Sequence, residues 1–570
     1  MNIRFMLVAL AGVWVAAAGA FEARAQDPRQ EALGGSSVVV QTDTSALSLF
    51  NLGNPAGAAF LPHQDRLDLL ATVRERVRWA EFTTLYSRNL HSVDNFDVPV
   101  DAYGNTTYTD TFGNTLAPAM LYARRSSTYH ASLNDWGKTG YGGYLLWLDP
   151  AWVLQVVPQA SGDRVGSSDL ASETAGLSAG GKVRGAWQAA PDLAVGAGAT
   201  AASGGFHGWG LPDWSLDPAG NTTNPRDAFA RTELQLGVEA GAAWRLAAVF
   251  DAQDRLDLGL NLDYARLQSN QDETLHAGTD GSDPVLGAWH MRADALPAQI
   301  QVQGVYDYQS VMDLALVAAY QNERLYRAVQ ADGQPDPGES LAEALENFDY
   351  ELSLRVNLPM VRQDDLRFGI VFNNRGIGHP YPNGRWLQYQ PDGLYAAPLI
   401  LTGSSSIGIA TAIVPEEGSL ITLEYFLGSS KSRQDRTPIA SSGYNRFNLG
   451  AQYQVMEGLV VRAGYSDLRV AYENQEVLLQ FGTDNYPLLD ANGNLAYATK
   501  TVIRSDETSS FSFGVSLGDK PWRVDLTGVV AQTGYSPFGW TMLDKPTGLD
   551  NVSQDQDLRY SVSLGLRWLF

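Results

Sequence analysis

The chain has 570 residues, no cysteine, and 63 acidic against 40 basic side chains, which gives a formal net charge of -23. The lack of cysteine excludes disulfides and thiolate metal sites, and the acidic excess argues against nucleic acid as a partner because phosphates require a basic face. With 56 glycines, 14 tryptophans and 25 tyrosines, the composition favours strands, turns and interfacial aromatic residues over helices.

The first 25 residues have the pattern of a secretory signal peptide. A basic start at residues 1–4 is followed by an apolar stretch at 5–20 and by the small-residue site Ala23-Arg24-Ala25. We therefore expect residues 1–25 to be removed and the mature chain to begin at Gln26. No later run of about 18 apolar residues occurs in the sequence, so a helical membrane protein is not expected.

Residues 26–65 separate the signal peptide from the first alternating segment, and they contain an apolar stretch interrupted by Asn-Pro and Gly. Proline breaks a helix, and apolar residues left exposed in the periplasm would gain nothing. We therefore expect residues 26–65 to form a plug inside a barrel. The predicted plug residues are Leu47, Phe50, Asn54, Pro55, Gly57 and Phe60.

From residue 66 onward, apolar and polar residues alternate in segments of roughly ten to fourteen residues. Tight turns and longer polar stretches connect successive segments alternately. In the clearest pair, the apolar residues of 447–455 and 459–465 share one face across a turn at 456–458. Six further pairs have turns near residues 190–192, 251–254, 310–313, 362–365, 415–418 and 518–521.

These pairs, with an opening strand at 66–79 and a closing strand at 558–570, predict an all-β fold. Residues 66–570 are expected to form a transmembrane antiparallel β-barrel of about 16 strands, because single-chain bacterial barrels have an even number. A weaker pair, 141–148 and 152–157, raises the count to about 18, and the loss of one marginal pair lowers it to about 14.

The last strand combines an outward apolar face with a terminal aromatic residue, a pattern typical of the closing strand of an outer-membrane barrel. Ser563, Gly565, Trp568 and Phe570 fit polar-x-Gly-x-x-aromatic-x-aromatic and are the expected assembly signal. The expected partners are therefore outer-membrane lipid, lipopolysaccharide and the barrel assembly machinery.

The face opposite the lipid carries charges of both signs, so a wet interior is expected. Ion pairs between strands would brace the barrel wall; a charge-selective pathway is the alternative, supported mainly by three arginines on the first strand. Glu75 falls on the lipid-facing side, which indicates either a bulge or a covering segment. The candidate lumen residues are Arg74, Arg76, Arg78, Asp349, Glu351 and Arg355.

The tetrad Asn54-Pro55-Ala56-Gly57, shortly before the first strand, resembles the N-terminal hatch of the FadL-type outer-membrane channels for long-chain fatty acids and hydrocarbons. The glycine-rich opening of that family is reduced here to Gly34-Gly35. The resemblance implies passive uptake of hydrophobic small molecules past the hatch and their release through a gap in the wall. Gly142-Gly143 mark a candidate gap, since glycine weakens a strand ladder, with ordinary tight packing as the alternative.

Other functions stay open on the sequence. One is a general or charge-selective diffusion porin, and another is an adhesin or structural barrel with long acidic connections. An enzyme is the third, because the spacing of His130 and Ser132 resembles outer-membrane phospholipase A, although the neighbouring motifs of that family are absent. We expect an outer-membrane channel without catalytic activity, cofactor or bound metal.

Overall fold

The structure is a computed structural model in which part of the chain is described. The expected signal peptide and two predicted plug residues, Leu47 and Phe50, lie outside the described residues. Among the described residues, no helix has the length and apolarity needed to cross a membrane. The described residues are 32–33, 54–86, 124–167, 172–210, 226–276, 285–308, 311–336, 338–358, 366–378, 387–390, 393–396, 400–434, 437–479, 497–518, 521–535 and 555–570.

The described part of the chain holds one short 3-10 helix at Pro55–Phe60 and twenty strands. Their bounds are β1 (Arg66–Tyr86), β2 (Arg124–Trp147), β3 (Trp152–Ser167), β4 (Ser172–Ala190), β5 (Leu193–Gly210), β6 (Arg226–Ala247), β7 (Asp254–His276), β8 (Val285–Tyr308), β9 (Met312–Ala331), β10 (Ser340–Leu358), β11 (Leu366–Gly378), β12 (Leu387–Gln390), β13 (Gly393–Ala396), β14 (Ile400–Ile413), β15 (Leu420–Gln434), β16 (Thr437–Met456), β17 (Leu459–Leu479), β18 (Tyr497–Leu517), β19 (Trp522–Tyr535) and β20 (Asp555–Leu569).

Eighteen of these strands form a single antiparallel sheet that closes into a barrel. Each strand pairs with the next in the chain, with β14 following β11, and β1 pairs with both β2 and β20. The predicted all-β antiparallel barrel is therefore confirmed, at the upper end of the expected count. Closure removes the free edges that an open sheet of this size would expose.

Among the described residues, the turns fall where the sequence predicted them; the turn predicted near residues 362–365 lies outside the described residues. The weaker predicted pair across residues 149–150 is the hairpin of β2 and β3. Gly418, Gly458 and Gly518 have φ of 79°, 74° and 84°, and they lie in the turns after β14, β16 and β18, where a positive φ favours glycine over any residue with a Cβ. The short connections therefore define one end of the barrel.

The outer face of the barrel is apolar, as the alternation predicted. Large exposed apolar side chains recur at every second position, for example Leu449, Tyr453 and Val455 on β16. Tryptophans concentrate at the short-turn end, where Trp568 also stacks on Phe570 with ring centroids 5.1 Å apart. An aromatic girdle of this kind is general to membrane barrels. The exposed tryptophans of this end are Trp152, Trp187, Trp244, Trp522 and Trp568.

Three details differ from the sequence prediction. β1 continues to Tyr86 rather than ending at residue 79. Glu75 stays on the outer face, opposite Trp136 and Tyr560, with no register shift beside it, so of the two explanations, a bulge or a covering segment, the bulge is wrong. The hairpin of β12 and β13 was not predicted, because strands of four residues contain too few alternations to be recognised.

Candidate functional site

A short apolar helix packs against the inner wall of the barrel near the short-turn end. This 3-10 helix, Pro55–Phe60, contacts β3, β4, β5 and β6. Ala56, Ala58 and Ala59 are almost fully buried, because small side chains allow the helix backbone to approach the strands closely. The wall residues of this apolar cluster are Leu145, Val153, Ala186, Ala194 and Ala243.

Asn54 fixes the start of the helix to two strands at once. Its Oδ1 accepts a hydrogen bond from the Ala56 amide at 2.9 Å, which caps the helix. Its Nδ2 donates to the carbonyl oxygens of Ala242 at 2.9 Å and Leu260 at 3.2 Å. These two residues face each other across β6 and β7, so the side chain of Asn54 bridges the strands.

Two glycines on the wall make room for the helix. A Cβ on Gly196 would lie 2.6 Å from the Ala56 nitrogen and 2.7 Å from the Pro55 carbonyl carbon, and one on Gly241 would collide with Oδ1 of Asn54. Both clashes involve the helix or its cap rather than flexible side-chain ends. Any larger residue at Gly196 must therefore push the helix away from the wall.

The other end of the segment 54–65 is held by two wall side chains. Arg245 donates from Nη1 to the Phe60 carbonyl at 3.1 Å, and its guanidinium lies 4.7 Å from the Phe60 ring centroid. Trp147 donates from Nε1 to the Pro62 carbonyl at 3.0 Å and stacks on His63 with centroids 4.0 Å apart. Contacts at both ends therefore hold the segment against the inner wall.

A second part of the N-terminal region touches the opposite wall. Ala32 and Leu33 are buried, and Leu33 packs in an apolar cluster with Leu420 and Phe426 of β15. A Cβ on Gly450 of β16 would lie 2.9 Å from the Cβ of Leu33. Because β5 and β16 are nine places apart in the ring of 18 strands, the two contacts of the N-terminal region lie on opposite sides of the lumen.

The ladder between β2 and β3 lacks two rungs just above the helix, and this place is called the gap from here on. The rungs stop at Tyr141 and Gln159 and resume at Tyr144 and Val156. The intervening residues are Gly142 and Gly143 on β2, and Val157 and Pro158 on β3, where proline has no amide hydrogen to donate. A Cβ on Gly143, which is on the lumen side, would meet nothing within 4 Å, whereas one on Gly142 would lie 2.9 Å from Cγ of Pro158, so the proline ring packs against Gly142. The candidate gap predicted from Gly142-Gly143 therefore coincides with missing rungs.

A similar interruption five strands further around the barrel is bridged by side chains. Between β7 and β8 the rungs stop at Leu267 and resume at Tyr264, and Pro297 of β8 lies beside the missing rungs. Arg266 donates to Asp294 across this seam at 2.5 Å. The seam between β2 and β3 has glycines at the corresponding place, so no side chain from β2 can bridge it there.

The three predicted lumen arginines of β1 lie on one wall, formed by the inner faces of β19, β20, β1 and β2, here called the arginine wall. Arg76 Nε and Arg559 Nη2 both donate to Asp557 Oδ2, at 2.6 and 2.8 Å. Arg74 Nη2 donates to Asp163 Oδ1 of β3 at 2.8 Å. Arg78 belongs to the same face by register, and its side chain is outside the described part of the structure.

The predicted lumen residues of β10 lie across the barrel from these arginines. Asp349, Glu351 and Arg355 are half-buried and inward-facing, and Phe348 and Tyr350 point outward. Glu323 of β9 is on the same inner face. Because β1 and β10 are nine places apart in the ring, the arginine wall faces a wall with more acidic than basic groups. Ion pairs that only brace the barrel wall would not require basic and acidic groups to lie on opposite sides of the lumen.

The predicted assembly residues form the seam that closes the barrel. Ser563 is buried and its Oγ lies 2.9 Å from Oγ1 of Thr72 on β1. Gly565 faces Leu70 of β1 in the same pairing. Trp568 and Phe570 are exposed on the outer face. Their part in assembly stays a prediction.

The residues considered for other chemistry do not form a site among the described residues. His130 and Ser132 occupy register positions on the outer face of β2, opposite Glu81 and Trp79 of β1. No group of three or more potential metal-ligating side chains occurs within the described ranges.

Sequence reasoning missed the residues that hold the plug segment. Arg245, Trp147, Gly196 and Gly241 contact it from positions between 85 and 187 residues away in the chain. Each of them also fits an ordinary strand pattern, so no local signal distinguishes them. Only the pairing of the strands brings them to one patch of the wall.

Similarity to known proteins is found at the level of structure. No family model matches the sequence, and no curated protein matches it. Similar solved structures include a TodX monoaromatic hydrocarbon channel (a deltaS2 mutant), 12% identical, covering 96% of this chain and 100% of that chain, with a TM-score of 0.36. A FadL homologue of Pseudomonas aeruginosa is 12% identical, with 94% and 99% covered and a TM-score of 0.37.

The ferric yersiniabactin uptake receptor FyuA of Yersinia pestis is also similar, at 8% identity, with 90% of this chain and 81% of that chain covered and a TM-score of 0.44. At such low identity and TM-score, the function has to be argued from the residues of this chain.

Proposed function

We propose that this chain is an outer-membrane channel for the passive uptake of hydrophobic small molecules, such as fatty acids or hydrocarbons. The single observation that carries the proposal is the apolar segment 54–65, fastened to the inner wall beside a gap in the β2–β3 seam. A plug of this kind obstructs free diffusion of water and ions. An apolar solute can exchange contacts with it without losing hydrogen bonds.

The position of the gap supports release through the wall. Leu145 and Val153 belong to the apolar cluster around the helix, and they lie on the two strands that flank the seam, directly below Gly142-Gly143 and Pro158. A solute that displaces part of the helix would therefore meet apolar side chains next to missing rungs. Leaving sideways into the membrane spares an apolar molecule the cost of entering water.

An outer-membrane location follows from the same surface. Strands of 13 to 24 residues exceed the roughly 9–11 that a tilted strand needs to cross a bilayer, and their outer face is an apolar band with tryptophans at one end. Within this proposal, lipid and lipopolysaccharide contact the band. The assembly machinery recognises the strand that carries Ser563, Gly565, Trp568 and Phe570, and residues 26–65 are the plug.

The main alternative is a diffusion porin that selects by charge, and the arginine wall favours it. A porin needs an unobstructed lumen, so ion conductance separates the two functions. In planar bilayers, we expect the intact protein to conduct poorly, and Gly196→Val to raise the conductance because its side chain displaces the helix. A large steady pore in the unsubstituted protein would refute the plugged channel.

The matched control is Gly205→Val on the same strand. A Cβ on Gly205 would meet nothing within 4 Å, so this substitution adds the same side chain without touching the helix and is expected to leave conductance unchanged. Uptake is measured with radiolabelled 1-decanol in cells that lack other channels for hydrophobic solutes. Cells that express the chain should take it up faster than cells without it.

A further inference from the structure

Three neighbouring strands, β14, β15 and β16, carry almost no negative charge. In a chain with 63 acidic residues, the acidic residue of these strands is Glu424, which is buried and faces the lumen. Their outer face holds Lys431 and, by register, Arg433 near the end with the long connections. The outer surface of these three strands is therefore positive, although the chain as a whole is acidic.

The surroundings of this positive surface do not cancel it. On one side, β11 has no acidic residue. On the other side, Glu473 of β17 faces Ser441 of β16 by register, which places it two strands away from Lys431. The loop after β15 adds one charge of each sign, Asp435 and Arg436. The surplus of positive charge is therefore local to β15 and its two neighbours.

Lys431 points away from the lumen and is available to a ligand. It follows Tyr425 and Leu427 at alternate positions of β15, and both of these side chains are exposed on the outer face. Lys431 is itself exposed, and among the described residues no acidic side chain pairs with it. By contrast, the outer-face Arg266 is paired with Asp294 at 2.5 Å.

The height of Lys431 matches the lipid headgroups of the outer leaflet. At roughly 3.3 Å per residue and a tilt of about 40°, β15 rises about 28 Å between Leu420 and Lys431. The apolar band of an outer-membrane barrel is about 25 Å tall, and the short turns of such barrels face the periplasm. Lys431 therefore lies just above the band, on the side of the outer leaflet.

Small residues leave a shallow depression beside Lys431. Gly403 of β14 lies opposite Lys431, and Gly443 of β16 lies opposite Ser429. A Cβ on Gly443 would meet a single atom within 4 Å, a backbone oxygen at 4.0 Å. The hydroxyl oxygens of Ser405 and Ser429 are 3.2 Å apart. Since one hydroxyl donates to the other, the second keeps a hydrogen that can be donated to a ligand.

We propose that Lys431 and this depression bind a phosphate group of lipopolysaccharide in the outer leaflet. An ammonium group is a compact charge that binds phosphate, and the free serine hydroxyl supplies a hydrogen bond. The acyl chains of the same lipid lie on the exposed apolar residues below, which include Leu427 and Ile409. This inference shares the outer-membrane location with the proposed function and adds a lipid site on the outer wall that solute uptake does not require.

The test is binding of bisphosphorylated lipid A, the membrane anchor of lipopolysaccharide, to the purified full-length protein in detergent, measured by native mass spectrometry. The unsubstituted protein is expected to bind it, and Lys431→Gln should raise the Kd about fivefold, as expected for one basic residue at an anionic lipid surface. Lys431→Arg keeps the charge and should retain the binding. Lipid A with both phosphates removed should bind the unsubstituted protein and Lys431→Gln equally.

Two further variants separate the site from charge in general. Gly443→Leu fills the depression without changing the charge and should weaken binding of bisphosphorylated lipid A. Arg255→Gln is the matched control, because Arg255 is 45% exposed but lies on the inner face near the short turns, where lipid has no access; it should bind normally. The proposal is overturned if Lys431→Gln or Gly443→Leu binds bisphosphorylated lipid A as tightly as the unsubstituted protein. It is also overturned if Arg255→Gln loses as much binding, or if Lys431→Gln loses dephosphorylated lipid A equally.

Because lipid binding is measured on purified protein, the result does not depend on uptake. Failure of 1-decanol uptake in cells would refute the proposed function and leave the lipid site standing. Normal 1-decanol uptake with unchanged lipid A binding in Lys431→Gln would do the reverse.

Discussion

Replacing Asn54 with alanine should detach the plug segment from the wall. The change removes a helix cap, about 1 kcal/mol, and two partly buried hydrogen bonds to the carbonyls of Ala242 and Leu260, about 1 kcal/mol each. The sum of about 3 kcal/mol corresponds to a shift of about 150-fold in the ratio of detached to attached segment. The apolar contacts of Ala56, Ala58 and Ala59 stay in place, so the barrel itself should fold normally.

The assay is the open probability of single channels in planar bilayers, which should rise steeply in Asn54→Ala. The control is Asn374→Ala, because Asn374 also donates to a strand carbonyl, that of Phe348 at 3.2 Å, but is exposed and far from the helix. Equal open probabilities in Asn54→Ala and in the unsubstituted protein would refute the role of Asn54 in holding the plug segment against the wall. An equal rise in both variants would show that loss of any such bond loosens the barrel.

Three more predictions concern the seam, a loop and the acidic wall. Gly143→Leu fills open space beside the β2–β3 gap and should slow 1-decanol uptake by cells, whereas Gly205→Leu should not. In the β9–β10 loop, a hydrogen bond from the Gly338 amide, followed by the contact with Arg292, holds the pKa of Asp336 below its usual value, although burial acts in the opposite direction. The contact with Arg292 should be fully present above pH of about 3.9 and be lost as pH falls through the depressed pKa. Proteolysis of the loop measures this loss, and Asp336→Asn is the control that should be cleaved readily at every pH. Glu351→Gln removes a negative charge from the lumen and should lower the preference for cations over anions of the pore opened by Gly196→Val; an unchanged reversal potential in a salt gradient would count against the polarised lumen.

The barrel was predictable from sequence because its causes are local. Alternation with period 2 sorts each strand into an apolar and a polar face, and turns with glycine or aspartate mark where the chain reverses. The weakest prediction, the pair now seen as β2 and β3, was weak because Gly142, Gly143 and Pro158 interrupt its pattern. The same residues interrupt the ladder, so the strand pair with the weakest sequence pattern is also the pair that contains the candidate gap.

The site was only partly predictable. Asn54 and Pro55 stand in a recognisable tetrad, but what the Asn54 side chain contacts depends on strands about 190 residues away. The opposition of Arg74 to Asp349 likewise depends on the number of strands between them. Such relations are set by ring geometry, and a sequence read strand by strand does not contain them.

The central claim is that the region before β1 plugs the lumen of the barrel. The most direct measurement is oxidative cross-linking of Leu33→Cys/Gly450→Cys, which has no background because the chain has no native cysteine. The two Cβ positions lie 2.9 Å apart, so a slight shift reaches the separation of a disulfide. We expect a cross-linked species on a non-reducing gel, absent from the pair Leu33→Cys/Gly205→Cys. Failure of the first pair to cross-link, or equal cross-linking of both, would contradict a plug seated in the barrel.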